Sequence, residues 1–288
     1  MAHKNAKVIL VTGATGRQGG AALRRLRERG FSVRALTRDP DQPKARALTG
    51  PGTEVVRGDL DDQASLTRAL EGVHGVFSVQ SDDPGGDNEA RQGINLADAA
   101  KRARISHLVH SSVAAADQDT GVPDFAIKLR VEEHIRETGV RYTILRPVFF
   151  MENWLTMRSS IETGNLALPL EPTTRLQMIA ADDVGAFAAL AFEHPGKWQG
   201  HTLDIAGGEF SMNELAAAFS RMTGREVQYQ QTDWGDFEQR AGREAALLYR
   251  WLQNPAYRID IALVRREHPG LIGFERWLHS KWQSVRAA

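Results

Sequence analysis

A short apolar run followed by a glycine-rich turn, close to the start of the chain, constrains the fold more than any other feature. Val8–Val11 are all apolar and lead directly into the segment TGATGRQGG. Such a run is typical of a strand that is buried on both faces, as in the centre of a parallel sheet. A helical pattern follows from Gly20 to Arg29. The sequence therefore predicts a strand–turn–helix unit within a parallel sheet.

The glycines of this turn have the spacing G-x-x-G-x-x-G and predict a dinucleotide site. Gly13 allows a tight turn, Gly16 lets the backbone approach a pyrophosphate, and Gly19 lets the helix pack closely on the strand. N–H groups at the helix start would face phosphate oxygens, where the helix dipole favours negative charge. A purely structural glycine turn is the alternative. The predicted loop comprises Gly13, Ala14, Thr15, Gly16, Arg17, Gln18 and Gly19.

Composition limits the remaining functions. With 288 residues, the chain can form one extended domain or two coupled ones. Its formal net charge of zero argues against direct nucleic-acid binding, and the lack of cysteine excludes disulfides, thiolate zinc sites and a cysteine nucleophile. The histidines lack metal-binding spacing, so we expect no metal site. Because no apolar stretch approaches the roughly 18 residues of a membrane span, we expect a cytoplasmic protein without membrane contact.

The end of the second predicted strand indicates which dinucleotide is bound. An NAD site usually places a carboxylate here, whereas an NADP site places a cation that binds the 2′-phosphate. Thr37 occupies the carboxylate position and Arg38 follows it, so we predict NADP(H), with Arg17 as a second candidate for the phosphate. Two alternatives stay open. Arg38 can simply pair with Asp39 or Asp41 on the surface, and Asp39 leaves room for NAD.

The ends of the third and fourth predicted strands supply further candidates. Asp59 follows the third strand, Thr53–Arg57, and has two interpretations. It accepts a hydrogen bond from the adenine amino group, with the backbone around Leu60 completing the contact, or it caps the helix Leu66–Leu70. The fourth strand, Val73–Val79, ends beside the expected cofactor crevice. The residues that we place there are Val79, Gln80 and Ser81.

Several of these features together resemble one protein family. The segment GATGRQG, Arg38 at a strand end, GDLDD at 58–62 and LRPVFFMEN at 145–153 are similar to the NmrA-like branch of the atypical short-chain dehydrogenases. The resemblance covers nearly the whole chain. Within that branch, the chain most resembles the redox-sensing NmrA-like proteins, and next the bacterial NADPH–quinone reductases.

The resemblance implies an α/β fold, with a Rossmann-type doubly wound parallel sheet and a smaller C-terminal α/β lobe. We expect residues 1–150 to form the NAD(P)-binding domain and residues 151–288 to form a substrate or partner lobe. The chain is expected to return to the first domain near residues 175–206. All six tryptophans are placed in the C-terminal part, where they line an apolar pocket or form core.

Catalytic short-chain dehydrogenases carry a tyrosine four positions before a lysine, which this chain lacks. Lys128 is present, but Asp124 stands four positions earlier, and no tyrosine occurs between Ser111 and Lys128. The standard alcohol dehydrogenase mechanism is therefore disfavoured. The resemblance implies that Lys128 holds the nicotinamide ribose. The alternative is a surface pair with Glu132 at i+4. Ser111 and its neighbour Ser112 either touch the nicotinamide or cap the strand end.

The segment after the sixth strand is implied by the resemblance to close over the nicotinamide. The alternative is that Phe149 and Phe150 belong to the core of the second lobe. Arg91 matches a position at which the family has a basic residue near the cofactor. The residues that the resemblance places over the nicotinamide are Phe150, Met151, Glu152 and Asn153.

Two functions follow from these predictions. The first is a redox sensor that binds NADP(H), does little chemistry and changes a contact with a protein partner. The second is an NADPH-dependent reductase of a quinone-like acceptor, because hydride transfer to a quinone needs no tyrosine. Direct DNA binding is disfavoured by the zero net charge. The sequence leaves turnover, the acceptor and the oligomeric state open.

Overall fold

The computed structural model describes residues 7–80, 87–254 and 257–282, so Ser81 lies outside the described part. The chain forms two compact units. The first comprises the described residues of Met1–Asp117, Asp124–Arg146 and Ala181–Leu203, and the second comprises those of Gln118–Pro123, Pro147–Ala180 and Asp204–Ala288.

The helices and strands alternate through most of the chain. The strands are β1 (Val8–Val11), β2 (Ser32–Thr37), β3 (Thr53–Arg57), β4 (Gly75–Ser78), β5 (His107–Ser111), β6 (Tyr142–Pro147), β7 (Phe149–Phe150), β8 (Asn165–Leu168), β9 (Arg175–Ile179), β10 (His201–Ile205), β11 (Gly208–Ser211) and β12 (Gln228–Gln231). The α-helices are α1 (Arg17–Glu28), α2 (Pro43–Arg46), α3 (Gln63–Ala69), α4 (Asn88–Arg102), α5 (Pro123–Thr138), α6 (Arg158–Glu162), α7 (Ala181–Glu193), α8 (Pro195–Trp198), α9 (Met212–Thr223), α10 (Trp234–Ala241), α11 (Arg243–Gln253), α12 (Ile261–Glu267) and α13 (Phe274–Trp277). A 3₁₀ helix spans Met151–Met157, and a π-helical turn spans Leu278–Trp282.

The main sheet of the first unit has the doubly wound topology. Its strand order is β3-β2-β1-β4-β5-β6-β10, and β1 to β6 pair in parallel. The order reverses between β1 and β4, and ligands of such sheets bind outside the carboxyl ends of the strands at this switch point. The predicted fold class, a Rossmann-type α/β sheet, is confirmed.

A glycine lets two helices of the first unit, α1 and α7, pack closely against each other. A Cβ atom added to Gly185 of α7 would lie 2.5 Å from the backbone carbon of Ala21 in α1, so the two helices are in near backbone contact. Helix α1 begins at Arg17, three residues before the predicted start at Gly20. The earlier start has a simple cause, because Gly16 is already the N-cap residue and the chain enters the helix directly from the glycine turn.

The second unit has two small sheets around an aromatic core. Strand β9 pairs in parallel with β7 and antiparallel with β11, while β12 pairs in parallel with β8. Trp154, Trp277 and Trp282 are buried in its core. Five of the six tryptophans belong to this unit, and Trp198 lies in the first unit, within the range 175–206 over which the chain was expected to return to the first domain. The reason is the return of the chain through Ala181–Leu203.

Two histidines of β5 are buried as neutral side chains. Nε2 of His107 lies within hydrogen-bond distance of the Thr143 hydroxyl oxygen, at 2.8 Å. Burial lowers the pKa of His107 to about 4, with help from the nearby positive charges of His74 and Arg141. Burial likewise lowers the pKa of His110 to about 4.

These histidines should make the first unit less stable in mild acid. In the unfolded chain these imidazoles become protonated as the pH falls below about 6.5. In the folded chain they become protonated only near pH 4. The free energy of unfolding therefore falls as the pH falls through this range. Each histidine should account for about 2 kcal/mol between pH 7 and pH 5. Urea unfolding at both pH values measures the difference. The variant His110→Asn should reduce this difference in unfolding free energy between pH 7 and pH 5, whereas the exposed His201→Asn should not. The same difference in the wild type and in both variants would contradict the prediction.

Candidate functional site

The glycine turn after β1 presents bare backbone at the edge of the sheet. Gly13 has a φ of +58°, and its carbonyl accepts a hydrogen bond from the Gly16 N–H at 2.8 Å. A Cβ atom on Gly19 would lie 2.3 Å from the Gly13 carbonyl oxygen. Gly13, Thr15 and Gly16 are exposed, and the following helix α1 has 12 residues. This arrangement fits the diphosphate of a dinucleotide, because main-chain N–H groups at a helix start can reach phosphate oxygens without interference from side chains.

A cavity of about 480 Å³ lies beside this turn, at the carboxyl ends of β1 to β4. The predicted site residues that line it are Gly13, Thr15, Arg38, Asp59, Leu60 and Val79. Thr37 and Asp39, which the sequence analysis discussed for cofactor choice, also line it. The lining residues that the sequence analysis did not place in the site are Thr12, Leu36, Gln42, Gly58, Asp61, Asn88 and Gln92. Thr12 was detectable, since it directly precedes the first glycine. Its hydroxyl donates to the Val79 carbonyl at 2.7 Å and accepts from the Val79 N–H at 2.8 Å, which joins the ends of β1 and β4.

Arg38 is exposed on the wall of this cavity. The predicted alternative, a surface pair with Asp39 or Asp41, is wrong. Asp41 instead pairs with Arg46 at 3.1 Å, and the Asp39 carboxylate accepts the N–H of Asp41 at 3.0 Å. Arg17, the second candidate for the phosphate, is the first residue of α1 and is not among the residues that line the cavity.

Asp59 lies in the cavity wall and does not cap the following helix. The N-cap of α3 is Asp62, whose carboxylate accepts the Ala64 N–H at 2.9 Å, so the capping alternative for Asp59 is wrong. The Asp59 carboxylate accepts the N–H of Asp61 at 3.0 Å and stabilises the turn. Its role towards adenine stays a prediction.

Arg91 is connected to the cavity through an acidic residue. Its Nε donates to the Asp61 carboxylate at 2.8 Å, and the Gln92 amide donates to the same carboxylate at 2.8 Å. The hydrogen bond from Arg91 is the largest cause that lowers the pKa of Asp61. Asp61 is therefore an ionised cavity residue held in place from α4.

Lys128 pairs with a residue that the sequence analysis did not consider. Its Nζ donates to the carboxylate of Glu89 in α4, and both side chains are largely buried. The alternative pair with Glu132 is wrong, because the Glu132 carboxylate accepts two hydrogen bonds from Arg146, at 2.8 and 2.7 Å. Lys128 is thus held near the N-terminal end of α4 by a charge pair.

The serine at the end of β5 contacts the glycine loop. Ser111 donates its hydroxyl hydrogen to the Gln18 side-chain oxygen at 2.6 Å, a contact that neither predicted alternative anticipated. Gln80 is buried after β4, and its amide donates to the Ser78 hydroxyl at 3.0 Å. The Ser78 hydroxyl also lies 3.2 Å from Nδ1 of His110, so a short polar chain runs beneath the strand ends.

The residues predicted to cover the nicotinamide belong to the second unit. Phe149 and Met151 are part of its buried core, while Phe150 is half-buried in β7. Glu152 is buried and accepts a hydrogen bond from the Trp277 indole N–H at 3.0 Å. The alternative assignment to core therefore holds for Phe149. The contact of Phe150, Met151, Glu152 and Asn153 with a nicotinamide stays a prediction.

The described ranges contain neither a metal-binding cluster nor a membrane-spanning helix. Over residues 7–80, 87–254 and 257–282, no group of three or more histidine, aspartate or glutamate side chains is placed to bind a metal ion. Among the helices of the same ranges, none combines the length and the apolar character needed to cross a bilayer.

Comparisons with known proteins agree with this geometry. The model of the NmrA-like family matches residues 5–257. NAD(P)H azoreductase from Xenophilus azovorans is 34% identical over 224 residues, which cover 77% of this chain and 76% of the relative. Quinone oxidoreductase 2 from Escherichia coli (strain K12) is 29% identical over 234 residues, covering 80% and 79%.

A solved structure is similar over the full length. NmrA, a negative transcriptional regulator, is 25% identical and has a TM-score of 0.82 in its complex with NADP, covering 99% of this chain and 98% of NmrA. Its complex with NAD has a TM-score of 0.80 at the same identity and coverage.

Proposed function

The chain belongs to the NmrA-like family, and from this premise we propose that it binds NADP(H) in the cavity beside the glycine turn and reduces a quinone-like or azo acceptor. The observation that carries the proposal is the glycine turn itself, where bare backbone opens onto a cavity of about 480 Å³ at the switch point of the sheet. Relatives named azoreductase and quinone oxidoreductase support the reaction class.

Each part of the site has a role in this proposal. The main-chain N–H groups at the start of α1 bind the diphosphate, and Gly19 keeps that helix start close to β1. Arg38 binds the 2′-phosphate and Asp59 accepts from the adenine amino group. Lys128, which pairs with Glu89, is the candidate for the nicotinamide ribose.

The bound cofactor supplies a hydride, and the chain supplies its orientation. Asp124 lies four positions before Lys128, where catalytic short-chain dehydrogenases have the tyrosine that acts as general acid. The position therefore lacks the phenol that acts as the acid in the standard mechanism. The proposed acceptors are therefore those that take their protons from water after hydride transfer.

A redox sensor with little turnover is the second candidate. It is supported by the similarity to NmrA, a transcriptional regulator with complexes of both NADP and NAD. A sensor needs a ligand that discriminates between two conformations, and about 1.4 kcal/mol of differential affinity shifts their ratio tenfold.

Steady-state turnover distinguishes the two candidates. Purified protein with NADPH would be offered a benzoquinone, a naphthoquinone and an azo dye, and the oxidation of NADPH would be followed by its absorbance. The reductase should turn over at about 1 s⁻¹ or faster, the low end of typical enzymes. Tight NADPH binding without oxidation across the panel would reject the reductase and leave the sensor. The variant Gly19→Ala is the control, because it should lose turnover together with dinucleotide binding.

We expect the variant Arg38→Ala to weaken NADPH much more than NADH. A guanidinium–phosphate contact contributes about 1.5–3 kcal/mol, which corresponds to roughly a tenfold to hundredfold loss of NADPH affinity. Fluorescence titration of both nucleotides measures the effect. Arg46→Ala is a matched control, because Arg46 is an exposed arginine that pairs with Asp41. Equal losses for the two nucleotides would show that the 2′-phosphate is not bound by Arg38.

A further inference from the structure

A second cavity, of about 380 Å³, adjoins the dinucleotide cavity and is lined by three arginines. Arg38, Gly58 and Asp59 line both cavities, which therefore share a wall. The other two arginines are Arg57 and Arg68. Neither was singled out by the sequence analysis.

The fold brings these arginines together from three separate elements. Arg57 is the last residue of β3 and stands opposite Thr37 in the β2–β3 register. Arg38 directly follows Thr37 in the chain. Arg68 lies in the last turn of α3. The pairing of β2 with β3 and the position of α3 thus bring the three residues to one cavity.

The three arginines differ from their neighbours in how they are paired. Arg46 and Arg91 form ion pairs with aspartates, at 3.1 and 2.8 Å. Within the described part of the chain, no side-chain hydrogen bond or ion pair is made by Arg38, Arg57 or Arg68. The charge of Arg38 also acts on Asp61 in the first cavity, but none of the three guanidinium groups is held by a hydrogen bond to a carboxylate of the described residues. Three such groups lining one cavity can donate to an anion.

The cavity has fewer acidic residues than arginines. Asp59 and Asp62 also line it, but each carboxylate accepts a backbone N–H, at 3.0 and 2.9 Å respectively. Three positively charged side chains and two carboxylates thus line the cavity. The cavity keeps an excess of positive charge directly beside the end of β2, where the adenosine ribose of a dinucleotide lies in this fold.

We propose that Arg57 and Arg68 join Arg38 in binding a phosphate monoester on the adenosine ribose, which makes the second cavity the pocket that selects NADP(H) over NAD(H). The inference rests on the proposed function, because the dinucleotide brings the phosphate to the pocket. A doubly charged phosphate offers three terminal oxygens, and three guanidinium groups can bind them from different sides.

Calorimetric titration of the double variant Arg57→Gln/Arg68→Gln tests the inference. The probes are NADPH, NADH, adenosine 2′,5′-bisphosphate and inorganic phosphate, and Arg46→Gln is the matched control. The double variant should bind NADPH and the bisphosphate at least tenfold more weakly, while NADH affinity changes less than twofold. Inorganic phosphate should compete with the bisphosphate for the wild-type protein. All variants should retain the wild-type urea midpoint, because the three substituted arginines are exposed.

The remaining outcomes separate the inference from the proposed function. If the double variant binds NADPH as tightly as the wild type, or loses NADH affinity by the same factor, the inference is overturned and the dinucleotide site stands. Phosphate binding that persists in the double variant also overturns it. A wild-type protein that binds neither NADPH nor NADH overturns the proposed function, and the inference with it.

Discussion

Replacement of Gly19 by alanine should abolish most of the dinucleotide binding and destabilise the first unit. The new Cβ atom would lie 2.3 Å from the Gly13 carbonyl oxygen and 2.4 Å from the Gly13 carbonyl carbon, so the backbone of the glycine turn has to move. Overpacking of this kind costs about 1–3 kcal/mol of the free energy of unfolding. Because the displaced backbone also shapes the proposed phosphate site, NADPH affinity should fall at least about tenfold.

The steric clash and the helix propensity of alanine act on the stability of Gly19→Ala in opposite directions. Alanine is favoured over glycine inside a helix by about 1 kcal/mol, so without the steric clash the substitution would stabilise α1. Gly196→Ala is the matched control, since that glycine lies in α8 and a Cβ there meets nothing within 4 Å. Urea unfolding and NADPH titration of both variants measure the effects. A Gly19→Ala protein as stable as the wild type would mean that the turn is not packed as described.

The second large effect is expected from Arg146→Met, which breaks a buried ion pair. Arg146 is 4% exposed and Glu132 is 0% exposed. Burial alone raises the pKa of Glu132, but hydrogen bonds from Arg146 and from Arg136 outweigh it and hold the pKa below its usual value. Removal of one partner from a buried pair costs about 3–5 kcal/mol, because the other charge stays buried and poorly compensated. Urea unfolding at pH 7 should show a loss of this size.

Two further variants distinguish this cause from a general loss of arginine. Arg130→Met removes an exposed pair with Asp87 and should change stability by less than about 1 kcal/mol. The double variant Arg146→Met/Glu132→Leu removes both buried charges and should recover much of the loss. Glu132 keeps its hydrogen bond from Arg136 in the single variant. If the double variant is as unstable as Arg146→Met alone, the penalty comes from lost packing and not from the loss of the Arg146 charge beside this buried carboxylate.

Much of the fold was predictable from local patterns. The first strand, Val8–Val11, and the third, Thr53–Arg57, were predicted to the residue. The capping box of Ser211 and Glu214 opens α9. Such elements are specified by runs of apolar residues and by capping side chains that lie within a few positions of each other. Boundaries were less certain where a helix begins without a side-chain cap, as α1 does after Gly16.

The pairing of charges was the part that local patterns did not predict. Lys128 was expected to bind a ribose or to pair with Glu132. Its ion-pair partner is instead Glu89, which is 39 positions away in the chain, and the contact with a ribose stays a prediction. Arg38 was expected to have an aspartate partner in the alternative interpretation, and it lines two cavities instead. A charged side chain has several neighbours of opposite sign along the chain, and their spacing does not tell which of them packing brings within reach.

The parallel sheet, the glycine turn and the membership in a family can be predicted from the printed residues, because each depends on the order and spacing of residues in short segments. Only the folded chain shows that Arg57 and Arg68 line the same cavity as Arg38, and that Glu132 is bound by Arg146. These relations depend on strand register and on helix packing. Both are set by burial summed over the whole unit, so no short segment carries the information.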